Sequence, residues 1–239
     1  MIPEPSFHPA STLSVVLFSL ILSSILFMLF FGVARASRHA PALVNRRILM
    51  TALVTTLWLG VFTIIVKSGL IAEHPMPRLL FLLAAVNIVS IAAALSPLGG
   101  WLATGLTPGL LVFFHSFRLP LEIILHHWAK EGTIPVAMTW SGSNFDIITG
   151  VLALLIAPFA TRHRGLAWAF NLIGFCLLLN VIRVAILSSP LPFAWGTEPP
   201  LLLVMHLPYA LIAPICVGGA LAAHLILFRI LLQKPRLID

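Results

Sequence analysis

Charged residues are scarce in this sequence. Only 9% of its 239 residues are Asp, Glu, Lys or Arg, whereas 60% are hydrophobic. Soluble globular domains carry charge on about a quarter of their residues. The composition therefore excludes an ordinary soluble domain and predicts a polytopic helical membrane protein.

Cysteine is nearly absent as well. The only two cysteines, Cys176 and Cys216, both fall inside apolar runs. Two cysteines in such surroundings exclude a disulfide framework, and we expect free, buried thiols.

Long basic tracts are also missing, although the formal net charge is +7. No basic stretch is long enough, or sufficiently interleaved with aromatic residues, to form a nucleic-acid surface. The cytoplasmic loops of membrane proteins collect Lys and Arg, which accounts for the positive charge without a nucleic-acid partner.

What the chain has in abundance is long apolar runs. Most of them reach the roughly 20 residues that a spanning helix needs, although the fifth is short. We therefore predict an all-α bundle of about seven transmembrane spans that forms a single domain over residues 1–239. The runs cover residues 11–34, 48–71, 78–95, from about 101 onward, 144–160, 166–187 and 201–231.

The basic residues lie on alternate connections between these runs. Loop 35–47 holds four arginines, loop 161–165 holds two, and the C-terminal end holds three basic residues. Because Lys and Arg mark the cytoplasmic side, we predict an outside N-terminus and an inside C-terminus. Five tryptophans fall near predicted membrane interfaces, as in an aromatic belt: Trp101, Trp128, Trp140, Trp168 and Trp195.

The stretch from His115 to Asp146 concentrates the charge that the rest of the chain lacks. On a helix, Arg118 and Glu122 form an i, i+4 pair, and His115 and His126 extend the same face. This face is either a structural ion pair packed against other helices or a polar stripe that lines a cavity. Because proline removes a backbone hydrogen bond, Pro120 leaves open whether residues 118–130 continue a span or form an interfacial helix.

The segment Ser143–Asp146 has the spacing of a capping box, which predicts the start of the fifth helix. Asp146 is alternatively a carboxylate that faces the same pocket as Arg118. The neighbouring His126 and His127 point apart on a helix, and no HExxH or cysteine-rich ligand set is present. We therefore predict no metal site and no cofactor.

Further polar residues map to the same leaflet. Asn180 and Arg183 form an i, i+3 pair late in the sixth run, although Arg183 could instead extend to the lipid headgroups. His206 opens the seventh run on that side. We predict a polar pocket that faces the outer leaflet. Its ligand-binding residues would be Arg118, Arg183, Asn180 and Asn144, and its acid–base candidates Glu122, His206 and Asp146.

Such a pocket favours a membrane protein that binds or processes an anionic or lipid-linked ligand, with Arg118 and Arg183 holding the anionic group. Two other classes stay open. One is a non-catalytic membrane subunit or scaffold whose polar residues lock helices or bind a protein partner. The other is a proton-coupled transporter, which intramembrane Glu, Asp and His can serve. Membrane lipid is the expected partner, and the sequence leaves undecided whether the chain is an enzyme.

Two segments, FRLPLEIILHHWAKEGTIPVAMTWSGSNFDIITG and NLIGFCLLLNVIRVAILSSPLPF, carry a family resemblance. With their FRxPxE and GxNFD elements, they resemble a family of uncharacterised bacterial multipass membrane proteins over roughly residues 95–230. The resemblance implies a bacterial inner (plasma) membrane protein and brings no activity with it.

The Asn180–Arg183 element also resembles the arginine element of exosortases and archaeosortases. These membrane transpeptidases use Cys, Arg and His at the outer face. Here Trp140 precedes Ser141-Gly142, where that family has its cysteine. Cysteine-type nucleophilic catalysis is therefore not available at this position.

Overall fold

A computed structural model describes residues 6–38, 40–73 and 75–233 of the chain. Within these ranges the regular elements are helical, which confirms the predicted all-α class. The α-helices are α1 (Thr12–Ala36), α2 (Val44–Lys67), α3 (Leu70–Glu73), α4 (Pro75–Leu95), α5 (Pro97–Gly105), α6 (Pro108–Phe114), α7 (Arg118–Lys130), α8 (Ile147–Ala160), α9 (Arg164–Ser188) and α10 (Gly218–Leu232).

Six helical stretches in the described ranges are long and apolar enough to cross a membrane, which supports a polytopic membrane protein. Helix α8 is also apolar, but its 14 residues are fewer than the roughly 20 of a full span. The six stretches are Thr12–Ala36, Pro41–Lys67, Pro75–Leu95, Pro108–Lys130, Arg164–Ser188 and Tyr209–Leu232.

Pro120 does not split the fourth of these stretches. A 3-10 turn, His115–Phe117, joins α6 to α7 without a gap, and Pro120 lies in the first turn of α7. Proline is tolerated in the first turn of a helix, where its missing N–H costs least. Residues 118–130 therefore continue the same helical rod to Lys130.

The connection from Glu131 to Asp146 holds one 3-10 turn, Val136–Met138, and no α-helix. Its Ile134 and Met138 are nevertheless buried, at 0% and 4% exposure. Helix α8 follows at the level of the first turn of α7, because the backbones of Gly150 and Leu119 are in close contact. Protein covers the connection on the side of Ile134 and Met138. The connection therefore enters the bundle before α8 begins.

The predicted capping box at Ser143–Asp146 is wrong. Helix α8 begins at Ile147, and the Asp146 side chain at its N-cap makes no capping hydrogen bond. The Asp146 carboxylate binds Arg118 instead, and the Asn144 side chain accepts the Asp146 N–H at 3.0 Å. The Arg118 guanidinium offers the Asp146 carboxylate a full positive charge at 2.6 Å, where a cap would offer neutral N–H groups.

The last apolar segment is also interrupted before its regular helix. Two 3-10 turns, Leu203–Met205 and Tyr209–Leu211, and a π-helical turn, Ile212–Val217, precede α10. Pro208 and Pro214 lie in this region. Proline cannot donate a backbone hydrogen bond and clashes with the preceding turn, which explains the irregular winding.

One end of the bundle collects arginine side chains, and we call it the basic end. The guanidinium of Arg47 lies 4.5 Å from the centre of a Trp101 ring. Arg229 donates to the carbonyl oxygens of Ala94 and Ser96 at 2.6 and 2.9 Å. The N–H of Gly109 donates to Thr161 at 3.1 Å, and Arg164 donates to carbonyl oxygens at the end of α10. The connections that hold most of the arginines thus meet at one end.

The opposite end joins the N-terminal segment to the end of α7 and the start of the last span. The N–H of Ser11 donates to Glu131 at 3.2 Å, and the N–H of Ala10 donates to the Tyr209 hydroxyl at 3.0 Å. Trp128 is fully buried here, and its indole N–H donates to Ser14 at 2.9 Å. The predicted aromatic belt is therefore wrong for Trp128, because a belt residue faces lipid.

The two cysteines differ in their surroundings. Both are free, and Cys216 is buried as predicted, whereas Cys176 lies on the exposed surface of α9. The prediction of a buried thiol is wrong for Cys176, because its helix presents that face outward.

Gly150 allows α8 to approach α7, and its replacement should separate the two helices. A Cβ at this position would lie 2.4 Å from the Leu119 backbone nitrogen, which cannot move aside independently. We expect Gly150→Ala to lower the free energy of unfolding by about 1–3 kcal/mol, the usual cost of overpacking. Thermal unfolding in detergent measures this change.

Gly165→Ala is the matched control, because nothing lies within 4 Å of a Cβ at that helical position. Alanine there should be neutral or stabilising by up to about 1 kcal/mol. Equal stability of the two variants would contradict the close contact between α7 and α8.

Candidate functional site

A set of polar side chains lies in the interior of the bundle, and each is at most 6% exposed. They come from α7 and the turn before it, from α8 and the connection before it, and from α9 and α10. We call this set the buried polar cluster. Its members are His115, Arg118, Glu122, Asn144, Asp146, Thr149, Asn171 and His224.

An ion pair lies at the centre of the cluster. A terminal nitrogen of Arg118, Nη1, donates to Asp146 Oδ1 at 2.6 Å, and the Thr149 hydroxyl donates to the same oxygen at 2.9 Å. The Arg118 Nη1 also lies 3.4 Å from the carbonyl oxygen of Gly174, in the middle of α9. The partner of Arg118 is therefore Asp146, and the ion pair with Glu122 that the i, i+4 spacing predicted is wrong. Asp146 is also well placed at the N-terminus of α8, where the helix dipole favours negative charge.

Glu122 is tied to this pair through Asn144. The Asn144 amide group donates to Glu122 Oε1 at 2.9 Å and to the Met138 carbonyl at 3.0 Å. Its oxygen accepts the backbone N–H of Asp146. Asn144 thus links the Glu122 carboxylate to the backbone of Asp146.

Two histidines extend the cluster toward the basic end. The rings of His115 and His224 are stacked with centres 4.0 Å apart. His224 Nδ1 lies 2.7 Å from the Asn171 side-chain oxygen, and the Asn171 amide donates to the His224 carbonyl at 3.2 Å. Because Asn171 offers an oxygen there, His224 Nδ1 is the donor in this bond.

Gly174 brings the histidines next to the ion pair. A Cβ on Gly174 would lie 2.8 Å from a ring carbon of His224 and 2.9 Å from the methyl group of Thr149. Only the lack of a side chain lets His224 and Thr149 both approach α9 at this point. His224 and the Arg118–Asp146 pair therefore border the same glycine.

Several polar atoms of the cluster have no hydrogen-bond partner among the described residues. A buried polar atom without a partner costs about 1–3 kcal/mol, and such atoms are rare in native proteins. Their concentration in one cluster points to a site that receives a proton, a water molecule or a ligand. These atoms are Arg118 Nη2, Glu122 Oε2, His224 Nε2 and both ring nitrogens of His115.

The charges of the cluster do not favour a free anion. Arg118 contributes the only fixed positive charge of the set, and Asp146 and Glu122 contribute two carboxyl groups. With both carboxyl groups ionised and both histidines neutral, the cluster carries a net negative charge. A buried negative charge favours a proton or a cation. In the described ranges, no three His, Cys, Asp or Glu side chains are arranged to hold a metal ion.

Arg183 and Asn180 lie in the second half of α9, away from the basic end. The predicted i, i+3 pair is present, because Arg183 Nη2 donates to Asn180 Oδ1 at 2.8 Å. Arg183 itself is exposed and lies 5.7 Å from the centre of a Trp195 ring. Asn180 also donates to the Ser143 carbonyl at 2.7 Å, in the connection that leads to Asp146. A pocket shared by Arg183 and Arg118 stays a prediction.

His206 lies at the opposite end of the bundle, just before the last span. Its ring stacks on Phe7, with centres 4.0 Å apart. Partial burial lowers the pKa of His206 below its ordinary value. His206 therefore belongs to the contact with the N-terminal segment.

Asn171, Thr149 and His224 are the members of the cluster that sequence reasoning missed. Each is a single polar residue inside an otherwise apolar run. Of these three, His224 could have been recognised from the sequence, because an ionisable residue within a membrane span is a functional candidate by itself. The partners of these residues lie on other helices, so no local spacing identified them.

The comparisons with known proteins give a family and no activity. A family described as a domain of unknown function (DUF8737) matches residues 76–232, which include the whole buried polar cluster. No curated protein and no solved structure matches the chain. Because the family match covers more than half of the sequence, the chain belongs to this family.

Proposed function

We propose that the protein is a proton-coupled membrane transporter. The observation that carries this proposal is the buried polar cluster, in which two carboxyl groups and two imidazoles lie in the bundle interior. Ionisable residues inside a membrane are expensive and typically mark proton or ion pathways. Within the cluster, His224 and Asn171 lie nearer the basic end of the bundle, and Glu122 lies farther from it.

The atoms without partners are placed to take up and release protons. Glu122 Oε2, His115 and His224 Nε2 can each bind a proton without breaking an existing protein hydrogen bond. Arg118, in contrast, cannot be deprotonated in a protein and acts as a fixed positive charge. Protons would therefore enter and leave at the glutamate and the histidines, while Arg118 and Asp146 hold the centre together.

This arrangement provides a reason for coupling to an anionic ligand, which the sequence favoured. With both carboxyl groups ionised, an anion near Arg118 would be repelled. Once Glu122 is protonated, the remaining carboxylate and Arg118 balance each other, and the free Arg118 Nη2 can donate to the anion. Because each ligand then improves the binding of the other, proton and anion are thermodynamically linked.

The two interrupted segments support transport as well. Helix α8 begins inside the bundle at Ile147, and the last span winds irregularly before α10. Transporters place their binding sites at such discontinuous helices, whose ends can rearrange around a ligand. Both interruptions border the buried polar cluster or lead into the helix that carries His224.

A second candidate is a non-catalytic scaffold whose polar residues lock helices together. The observation that favours it is the saturated Asp146 carboxylate oxygen, which accepts from both Arg118 and Thr149. Such an ion pair can hold α7 and α8 in register without carrying a ligand. Variants of Arg118, Asp146 and Glu122 separate the two candidates.

A reconstituted system tests the transport proposal. Protein in vesicles of phosphatidylethanolamine and phosphatidylglycerol, loaded with a pH-sensitive dye, is exposed to an inward proton gradient and a panel of organic anions. We expect at least one anion to accelerate internal acidification over protein-free vesicles. An unchanged rate for every anion, in a sample shown to be folded, would argue for the scaffold.

We further propose seven membrane crossings in a bacterial inner membrane, with the N-terminus outside and the C-terminus inside. In this topology the connection 131–146 and α8 together make the fifth crossing. Support comes from the basic end, where arginine-bearing connections meet, since such connections face the cytoplasm.

Reporter fusions test this topology. A reporter placed after Asp239 should be cytoplasmic, and one inserted near Gly196 should be periplasmic, because seven crossings put these positions on different sides. Alkaline phosphatase activity and fluorescence of a cytoplasmic reporter measure the two locations. Detection of both positions on the same side would contradict seven crossings.

A further inference from the structure

A large cavity lies outside the buried polar cluster, between α1, α2, α4 and α10. Its volume of about 1080 Å³ is slightly above the ~300–1,000 Å³ range of ligand pockets. Its walls are almost entirely apolar and include Ile25, Val54, Ala93 and Ala222. Helix α2 packs loosely on the bundle, since only 6% of its most apolar 18-residue stretch is buried.

Positive charge lies at one margin of this cavity. Arg46 and Arg47, at the start of α2, are among its lining residues. Arg46 is exposed and has no hydrogen-bond or ion-pair partner among the described residues. Arg47 contacts only neutral groups, the Trp101 ring and the Ser37 hydroxyl at 3.5 Å. Neither arginine pairs with a carboxylate within the described ranges.

We propose that this cavity holds one anionic glycerophospholipid. The acyl chains would fill the apolar space between α2 and the bundle, and the phosphate would bind Arg46 and Arg47. Guanidinium groups match the geometry of phosphate oxygens and bind them through two parallel hydrogen bonds. Basic pockets between transmembrane helices on the cytoplasmic side are typical sites for anionic headgroups.

The charge distribution of the cavity favours a lipid over a protein segment. The walls are apolar along their length, and the two unpaired charges have one sign and lie at one margin. This is the profile of an amphiphile with a single anionic headgroup. The proposal does not depend on transport, since none of the cluster residues lines the cavity.

Native mass spectrometry tests this site. Purified protein in mild detergent receives an equal mixture of phosphatidylglycerol and phosphatidylcholine with identical acyl chains. We expect one retained lipid per chain, with a preference of about tenfold for phosphatidylglycerol, because two arginines face the headgroup. The double variant Arg46→Gln with Arg47→Gln should lose this preference. Arg162→Gln is the control for the single variant Arg46→Gln, because Arg162 is exposed and lies outside the cavity. Arg46→Gln should weaken the preference for phosphatidylglycerol, and Arg162→Gln should leave it unchanged.

A second pair of variants tests the apolar part. Ala93→Phe should fill the cavity and reduce retention of both lipids, whereas the neighbouring Ala92→Phe, outside the lining, should leave it unchanged. Equal retention of the two lipids, or an unaltered preference in the double arginine variant, would overturn the proposal. A lipid-free dimer would also overturn it and assign the face to a second copy of the chain. The measurement needs no proton gradient, so a failure of the transport proposal leaves its result unaffected.

Discussion

Arg118→Met is expected to lower the free energy of unfolding by about 3–5 kcal/mol, because it leaves the buried Asp146 carboxylate without its charged partner. The double change Arg118→Met with Asp146→Asn should recover most of this loss, since it removes both charges and keeps an oxygen for Thr149. Thermal unfolding in detergent measures both effects.

Arg183→Met is the matched control for this pair. Arg183 carries the same charge but is exposed, so its loss should change stability by no more than about 0.5 kcal/mol. A double variant as unstable as Arg118→Met alone would contradict the assigned ion pair. If the double variant recovers both stability and anion-driven acidification, Arg118 and Asp146 serve only to hold the helices together, and the proposed binding of the anion by Arg118 is wrong.

Glu122→Gln should abolish proton coupling while the protein stays folded. A glutamine can still accept the hydrogen bond from Asn144 but can no longer bind and release a proton. We expect anion-driven acidification to fall by about 10²-fold, the lower limit for loss of a proton-transferring group. Stability should change little, since a neutral amide is easier to bury than a carboxylate. Dye-loaded vesicles and thermal unfolding give the two readouts.

Glu131→Gln provides the control for the glutamate. Glu131 lies at the opposite end, where it accepts from the Ser11 N–H and lies 3.2 Å from His127. It belongs to the contact with the N-terminal segment, so its amide variant should keep proton coupling. Retained coupling in Glu122→Gln, or an equal loss in both variants, would remove Glu122 from the pathway.

The helical membrane fold could be predicted because it depends on composition and run length. A spanning segment must satisfy its own backbone hydrogen bonds, so long apolar runs can form little except helices. The burial of Arg118, Glu122 and Asp146 followed from the same reasoning, because charges in such a chain need protein around them.

The partners inside the bundle could not be predicted in the same way. Arg118 and Asp146 are separated by an irregular connection, and helical spacing carries no information about its path. The i, i+4 rule therefore favoured Glu122, the nearest carboxylate along the chain. His224 and Asn171 bond between α10 and α9, and this contact depends on the distance between the two helices.

The irregular connection before α8 also constrains how the protein enters the membrane. Asn144 and Ser143 bond to α7 and α9, and Asp146 reaches Arg118 beside the α9 backbone. Until α9 has been synthesised, these polar groups lack their hydrogen-bond partners on that helix. The hydrocarbon of the bilayer contains no groups that could replace them. We therefore expect α7, α8 and α9 to leave the insertion machinery together. A stretch of chain that forms no α-helix would then set the order in which these helices enter the membrane.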